Sequence, residues 1–114
     1  MKIQGKKYLV TYNPEISTVT MTGRLRLPSQ FAYQDIVDLL DKMIDKHPES
    51  ITLNLRNLEF LNSFGIGVIL KFVIKARNRK VGELIVQASK DITWHARSFN
   101  RLHQLMPTAK LEFY

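Results

Sequence analysis

The chain has no cysteine among its 114 residues. This absence excludes thiol catalysis, disulfide bonds and zinc sites built from cysteine. No apolar run is long enough to span a bilayer. The amino-terminal residues 1–10 are basic but lack the apolar core and cleavage site of a secretory signal. We therefore expect a cytoplasmic protein that has no membrane partner, folded as a single domain over residues 1–114.

Acidic residues are also scarce. Lys and Arg together number 17 against 10 for Asp and Glu, which gives a formal net charge of +7 and favours acidic partners. Residues 30–46 carry an acidic group, Asp35, Asp38, Asp41 and Asp45, and residues 71–80 carry a basic group, Lys71, Lys75, Arg77, Arg79 and Lys80. Two interpretations stay open: two solvated helix faces, or one basic docking surface for a partner.

Motifs for catalysis and for metal binding are missing as well. His47, His95 and His103 do not have the spacing of metal ligands. There is no G-x-S-x-G nucleophile motif, and the Gly65-Ile66-Gly67 segment lacks the third glycine and the lysine of nucleotide-binding loops. Close packing at a turn is the simpler role for these glycines. We predict no catalytic residue, no metal and no cofactor, and we do not expect an enzyme.

The chain does contain alternating strand and helix patterns. Residues 8–12 and 18–24 predict a hairpin, and further strands are predicted at 51–55, 82–87 and 110–114. A first helix begins after Ser29 and ends before Pro48, a second spans about residues 63–79, and a third is capped by Ser89 or Asp91 and ends at Pro107. This order predicts an α/β domain with a mixed, four- to five-stranded sheet and helices packed against it.

The most informative segment is residues 51–79, a buried strand followed by a tight turn and a helix. The helix opens at Asn62-Ser63-Phe64-Gly65. This places the Ser63 hydroxyl at a helix N-terminus, where unpaired N–H groups and the helix dipole favour negative charge. A phosphate on Ser63 would be well accommodated there.

The helix over residues 63–79 is unusually apolar. At 100° per residue, one stripe should face the sheet: Ile66, Ile69, Leu70, Val73 and Ala76. The opposite face carries Phe64, Val68, Lys71, Lys75 and Asn78, with Phe72 on its flank. Three interpretations stay open. They are coverage of this face by another element of the chain, binding of a second copy, and docking of a different protein through apolar anchors rimmed by charge.

Residues 53–70, LNLRNLEFLNSFGIGVIL, resemble the central strand, turn and helix of STAS domains, the bacterial anti-sigma factor antagonists. The pattern of that family is roughly D-L-x-x-V-x-F-x-D-S-S-G-L-G-x-L. Gly23 and residues 82–87 also fit the family in order and spacing, so the resemblance covers nearly the whole chain. It implies the same α/β architecture.

The resemblance also implies a function in partner switching. In that family the first serine after the aspartate is phosphorylated by a kinase that doubles as an anti-sigma factor, and a PP2C-type phosphatase restores it. The corresponding acceptor is Ser63. The implied docking face comprises Asn62, Phe64, Gly65, Val68, Lys71, Phe72 and Lys75. Asn62 replaces the aspartate of the pattern and Phe64 replaces its second serine, which removes one charge and one alternative acceptor.

Two other functions stay open. One is a STAS scaffold that binds its partner or itself without phosphorylation. The other is a basic nucleic-acid-binding module, which the cluster over residues 71–80, Arg97, Arg101 and the stacking surface of Trp94 would serve. The sequence does not fix the oligomeric state.

Overall fold

The structure is a computed structural model that describes residues 1–114. Its strands are β1 (Lys2–Gln4), β2 (Tyr8–Asn13), β3 (Thr18–Leu25), β4 (Ser50–Leu61), β5 (Glu83–Ala88) and β6 (Lys110–Phe113). Its helices are α1 (Gln34–Lys46), α2 (Ser63–Asn78), α3 (Thr93–Phe99) and α4 (Leu102–Leu105). Short 3₁₀ turns occupy Pro14–Ile16 and Phe31–Tyr33.

The six strands form one sheet in chain order, from β1 to β6. The strands β1, β2 and β3 pair antiparallel, and β3 to β6 pair parallel. Since each right-handed crossover advances the sheet by one strand in the same direction, the helices lie on one face. The predicted mixed-sheet α/β fold is confirmed. The predicted strand count was too low, because β1 has only three residues, too few for alternation to mark a strand in the sequence.

Strand β4 is longer than the predicted strand over residues 51–55. Its pairing with β3 continues to Leu61, with register shifts between Thr20 and Thr22 and between Gly23 and Arg24. These irregularities break the period of two that marks a strand in a sequence. The extra length brings the chain directly to Asn62, at the carboxyl end of the parallel strands.

The core lies between the sheet and the helices. The apolar stripe of α1 is buried, with Ile36, Leu39, Leu40 and Met43 all in the core. The predicted third helix is in fact two short helices, α3 and α4, and the α3 N-cap residue is Ile92 instead of Ser89 or Asp91. None of the helices combines the length and the hydrophobicity that crossing a membrane requires.

His95 in α3 is fully buried. Its ring connects β4, through Leu58, to the loop after β5, through Ser89. Its Nε2 lies 2.8 Å from the carbonyl oxygen of Leu58, and its Nδ1 accepts the Ser89 N–H at 2.9 Å. Because Nδ1 accepts, the proton of the neutral ring is on Nε2, which donates to Leu58. Burial lowers the pKa of His95, against an opposing effect of the Leu58 hydrogen bond.

The buried histidine predicts an acid-sensitive fold. The unfolded chain binds the His95 proton more readily, so this contribution to stability is complete above about pH 6.5 and is lost as pH falls through the lowered folded pKa. Urea unfolding should show a decreasing free energy of unfolding below about pH 6.5. The variant His95→Gln should flatten this dependence, whereas His103→Gln, at an exposed site, should retain it. A wild-type profile without this decrease would contradict the assignment.

Candidate functional site

The site is built around the side chain of Asn62, between β4 and α2. Its Oδ1 accepts the Gly65 N–H at 3.1 Å and caps the helix. Its Nδ2 donates to the carbonyl oxygen of Leu27 at 2.8 Å. One amide group therefore fixes both the start of α2 and the loop between β3 and α1. Asn62 is thus the N-cap residue of α2 at the predicted start of this helix, and its second role explains why an amide stands here.

Tyr33 supports this arrangement from the 3₁₀ turn before α1. Its buried hydroxyl donates to Asn62 Oδ1 at 2.6 Å. Burial raises the pKa of Tyr33, against the lowering effect of its hydrogen bond from the Leu27 N–H, so the hydroxyl remains a donor at neutral pH. Gly65 packs beside it, and a Cβ added at Gly65 would lie 2.8 Å from the Tyr33 oxygen and would clash with Leu61. Close packing therefore explains Gly65, whereas Gly67 has open space around its Cα.

Ser63 is the first residue of α2 and is exposed. The first backbone N–H groups of α2 that find acceptors are those of Gly65 and Ile66, which bond to the side chain and the carbonyl of Asn62. The N–H groups of Ser63 and Phe64 have no acceptor within the chain. Phe64 is also exposed, with 40% of its surface accessible. The helix start thus presents a hydroxyl, two free N–H donors and an aromatic ring.

Two arginines lie at the same end of the sheet. The guanidinium groups of Arg24 and Arg26 stack on the ring of Phe60, at 5.2 and 4.8 Å from its centre. Both side chains are exposed, and neither has a carboxylate within 4.0 Å. Phe60 precedes Ser63 by three residues in β4 and the turn. Unpaired positive charge therefore lies at the carboxyl ends of β3 and β4, on the sheet face opposite the buried Leu25 and Leu61.

The structure decides among the interpretations left open for the outer face of α2. Val68 and Phe72, which the helical projection placed on this face or its flank, are 9% and 3% accessible. They are buried because α1 and the 3₁₀ turn before it pack against this side of α2. Of the open alternatives, coverage by the same chain is therefore correct for these two residues. Phe64 and Lys71 are exposed as expected.

The basic residues of α2 do not form one continuous surface. Lys75 pairs with Asp41 at 2.7 Å, and Arg79 pairs with Asp45. Arg77 instead donates to the Leu105 carbonyl in α4. The acidic helix and the basic helix thus lie side by side and partly neutralise each other. Of the two interpretations left open for these charges, one basic docking surface across residues 71–80 does not apply.

A groove of about 610 Å³ remains between α1 and α2. Its walls include Val37, Val68 and Phe72, and its rim includes Phe31 and Lys71. Phe31 is 85% accessible, the most exposed large apolar side chain of the chain. The groove gives Val68 and Phe72 a solvent-facing edge although most of their surface is buried.

Sequence reasoning missed three of these residues. Tyr33 and Leu27 contact Asn62 from about thirty positions away along the chain, and no local pattern signals such a contact. Phe31 offered a weak signal, an aromatic residue two positions after a helix-capping serine. The structure shows no cluster of three or more side chains suited to a metal ion.

Comparison with known proteins identifies the family. The profile of the STAS domain matches residues 7–106. The chain belongs to the STAS domain family. A search of curated protein sequences gives no significant match.

Solved structures with this fold include SiaC of Pseudomonas aeruginosa. Apo-SiaC superposes with a TM-score of 0.75 at 13% identity, covering 99% of this chain and 96% of its own. Another SiaC structure gives 0.68 at 13% identity, with coverages of 99% and 93%. A chain from the complex of the diguanylate cyclase SiaD with its activator SiaC gives 0.76 at 11% identity, with coverages of 100% and 99%. At identities this low, the structural similarity shows that this STAS domain and SiaC share a fold, and nothing more.

The contacts of Asn62 predict the cost of restoring the aspartate of the family pattern. In Asn62→Asp a carboxylate oxygen replaces Nδ2 and faces the Leu27 carbonyl oxygen with no proton between them. The free energy of unfolding at neutral pH should fall by about 1–3 kcal/mol, as measured by urea denaturation. Asn57→Asp is the control, since Asn57 is exposed and makes no side-chain hydrogen bond. Equal stability of Asn62→Asp and wild type would contradict the assigned amide orientation.

Proposed function

We propose that this STAS domain is a regulatory protein-interaction module of a bacterial partner-switching pathway, of the anti-sigma factor antagonist type. A partner serine kinase phosphorylates Ser63, and a PP2C-type phosphatase removes the phosphate. The module acts in the cytoplasm by binding and has no catalytic activity of its own. The observation that carries the proposal is the exposed Ser63 hydroxyl on a helix start whose first N–H groups are unpaired.

The local electrostatics support phosphorylation at this position. A phosphoserine adds about −1.5 to −2 charges at neutral pH. The N-terminus of α2 stabilises such a charge by roughly 0.3–1 kcal/mol at an exposed site. The free domain therefore tolerates the phosphate with little change in its fold.

Phosphorylation of Ser63 affects the complex with a partner more strongly than it affects the free domain. A partner that closes over Phe64 and the start of α2 must remove water from the phosphate on the preceding residue. Burying a charge without a partner of opposite sign costs far more than leaving it exposed. Phosphorylation then acts as a release signal, because it weakens the interface and leaves the domain folded.

The replacement of the family's aspartate by Asn62 is compatible with this switch. The amide keeps the helix cap and adds the hydrogen bond to Leu27, while the acceptor hydroxyl remains. SiaC, which has the same fold, is described as the activator of a diguanylate cyclase. We accordingly propose that the partner controlled by this module is a sigma factor regulator or a signalling enzyme.

Phosphosite mapping tests the proposal. Protein isolated from its native cells should carry one phosphoryl group on Ser63 by intact-mass analysis and fragmentation. The modification should disappear in Ser63→Ala and persist in Ser98→Ala, which removes another serine hydroxyl. Protein that stays unmodified under every growth condition would overturn the proposal in favour of an unphosphorylated STAS scaffold.

A further inference from the structure

Two ion pairs connect α1 to the basic residues of α2 and its C-cap at a spacing of four residues, and the next position of this series lacks an acidic residue on α1. Asp41 faces Lys75, and four residues further along each helix Asp45 faces Arg79. Four residues in the other direction, the corresponding positions are Val37 and Lys71. The two helices run in parallel, so Lys71 continues the basic series of α2, whereas α1 has the apolar Val37 at the facing position. Lys71 is exposed and has no carboxylate within 4.0 Å.

The position without an ion pair, between Val37 and Lys71, lies at the groove between α1 and α2. Lys71 forms part of its rim, and Val37, Val68 and Phe72 form its apolar wall. Phe31, 85% accessible, stands at its edge. Channels between two parallel helices accept a third helix that inserts apolar side chains at spacings of three and four residues. An occupant with a carboxylate beside its apolar side chains would complete the charge pairing at Lys71.

From this geometry we infer that the α1–α2 groove docks an acidic amphipathic helix of a partner protein. Its apolar side chains contact Phe31, Val68 and Phe72, and a carboxylate pairs with Lys71. The net charge of +7 favours an acidic occupant over a second copy of this basic chain. A partner helix bound here lies on the same face of α2 as Phe64, the residue that follows Ser63.

The inference extends to regulation, and this step rests on the proposed phosphorylation of Ser63. Lys71 follows Ser63 by eight residues, about 12 Å along the helix axis. This separation exceeds the screening length of about 8 Å at physiological salt, so repulsion between a phosphate at Ser63 and the carboxylate at Lys71 is largely screened there. The repulsion adds to the desolvation cost at Phe64 only as the salt concentration is lowered.

Two synthetic amphipathic helices test the docking site on the unmodified protein. Both carry leucines along one face; in one the leucines are flanked by glutamates, in the other by lysines. Titration of the isotope-labelled protein should show that the glutamate helix shifts the NMR signals of Phe31, Val37 and Lys71. The lysine helix should bind the groove more weakly. Equal binding of both helices, or shifts confined to other surfaces, would overturn the proposal.

A matched pair of charge reversals separates the ion pair from net charge. Lys71→Glu should weaken binding of the glutamate helix by about fivefold to tenfold and should favour the lysine helix. Lys6→Glu makes the same charge change at an exposed turn and should have little effect. Equal weakening by both variants would refute the assigned pair.

Sedimentation of the free protein as a dimer that Lys71→Glu dissociates would instead assign the groove to a second copy. Neither result depends on whether Ser63 is phosphorylated.

Discussion

The hydrogen bonds of the Asn62 side chain are the constraint on which the rest of the site depends. Its Oδ1 holds the start of α2 and accepts from Tyr33, while its Nδ2 holds the loop at Leu27. These contacts connect the end of β4, the loop after β3 and the turn before α1. Because α2 starts from a fixed point, Ser63 and Phe64 can be exposed without loosening the helix, and the orientation of α1 against α2 is set near the same junction.

The consequence is a surface that can change its charge while the fold stays constant. The acceptor hydroxyl lies outside the core, and the hydrogen-bonded groups that define the helix start lie behind it. The apolar groove and Lys71 lie further along the same helix, on the side that faces α1. A modification at Ser63 can therefore act on a bound partner through space, by charge and desolvation, with no conformational change in the core.

Much of this arrangement could be predicted from the sequence, because its signals are local. The apolar periods of α1 and α2, the cap at Asn62 and the exposure of Ser63 follow from residues close together in the chain. The length of β4 could not, since its register shifts interrupt the alternation. The burial of Val68 and Phe72 was only one of three open interpretations, because a helical projection shows which residues share a face, and not whether α1 covers that face. The donor role of Asn62 depends on the Leu27 carbonyl, and the pairing of Lys75 with Asp41 depends on the packing of two helices.

The most direct test of the account is a comparison of backbone amide NMR spectra of the unmodified protein and of protein made with phosphoserine incorporated at position 63. If Asn62 fixes the helix start as the structure shows, chemical-shift changes should be confined to the first turn of α2 and the adjoining loop near Leu27. The signals of β5, α3 and the core should stay unchanged. Shifts that spread through the core, or loss of the hydrogen bond between the Gly65 N–H and Asn62, would contradict a switch that acts at the surface alone.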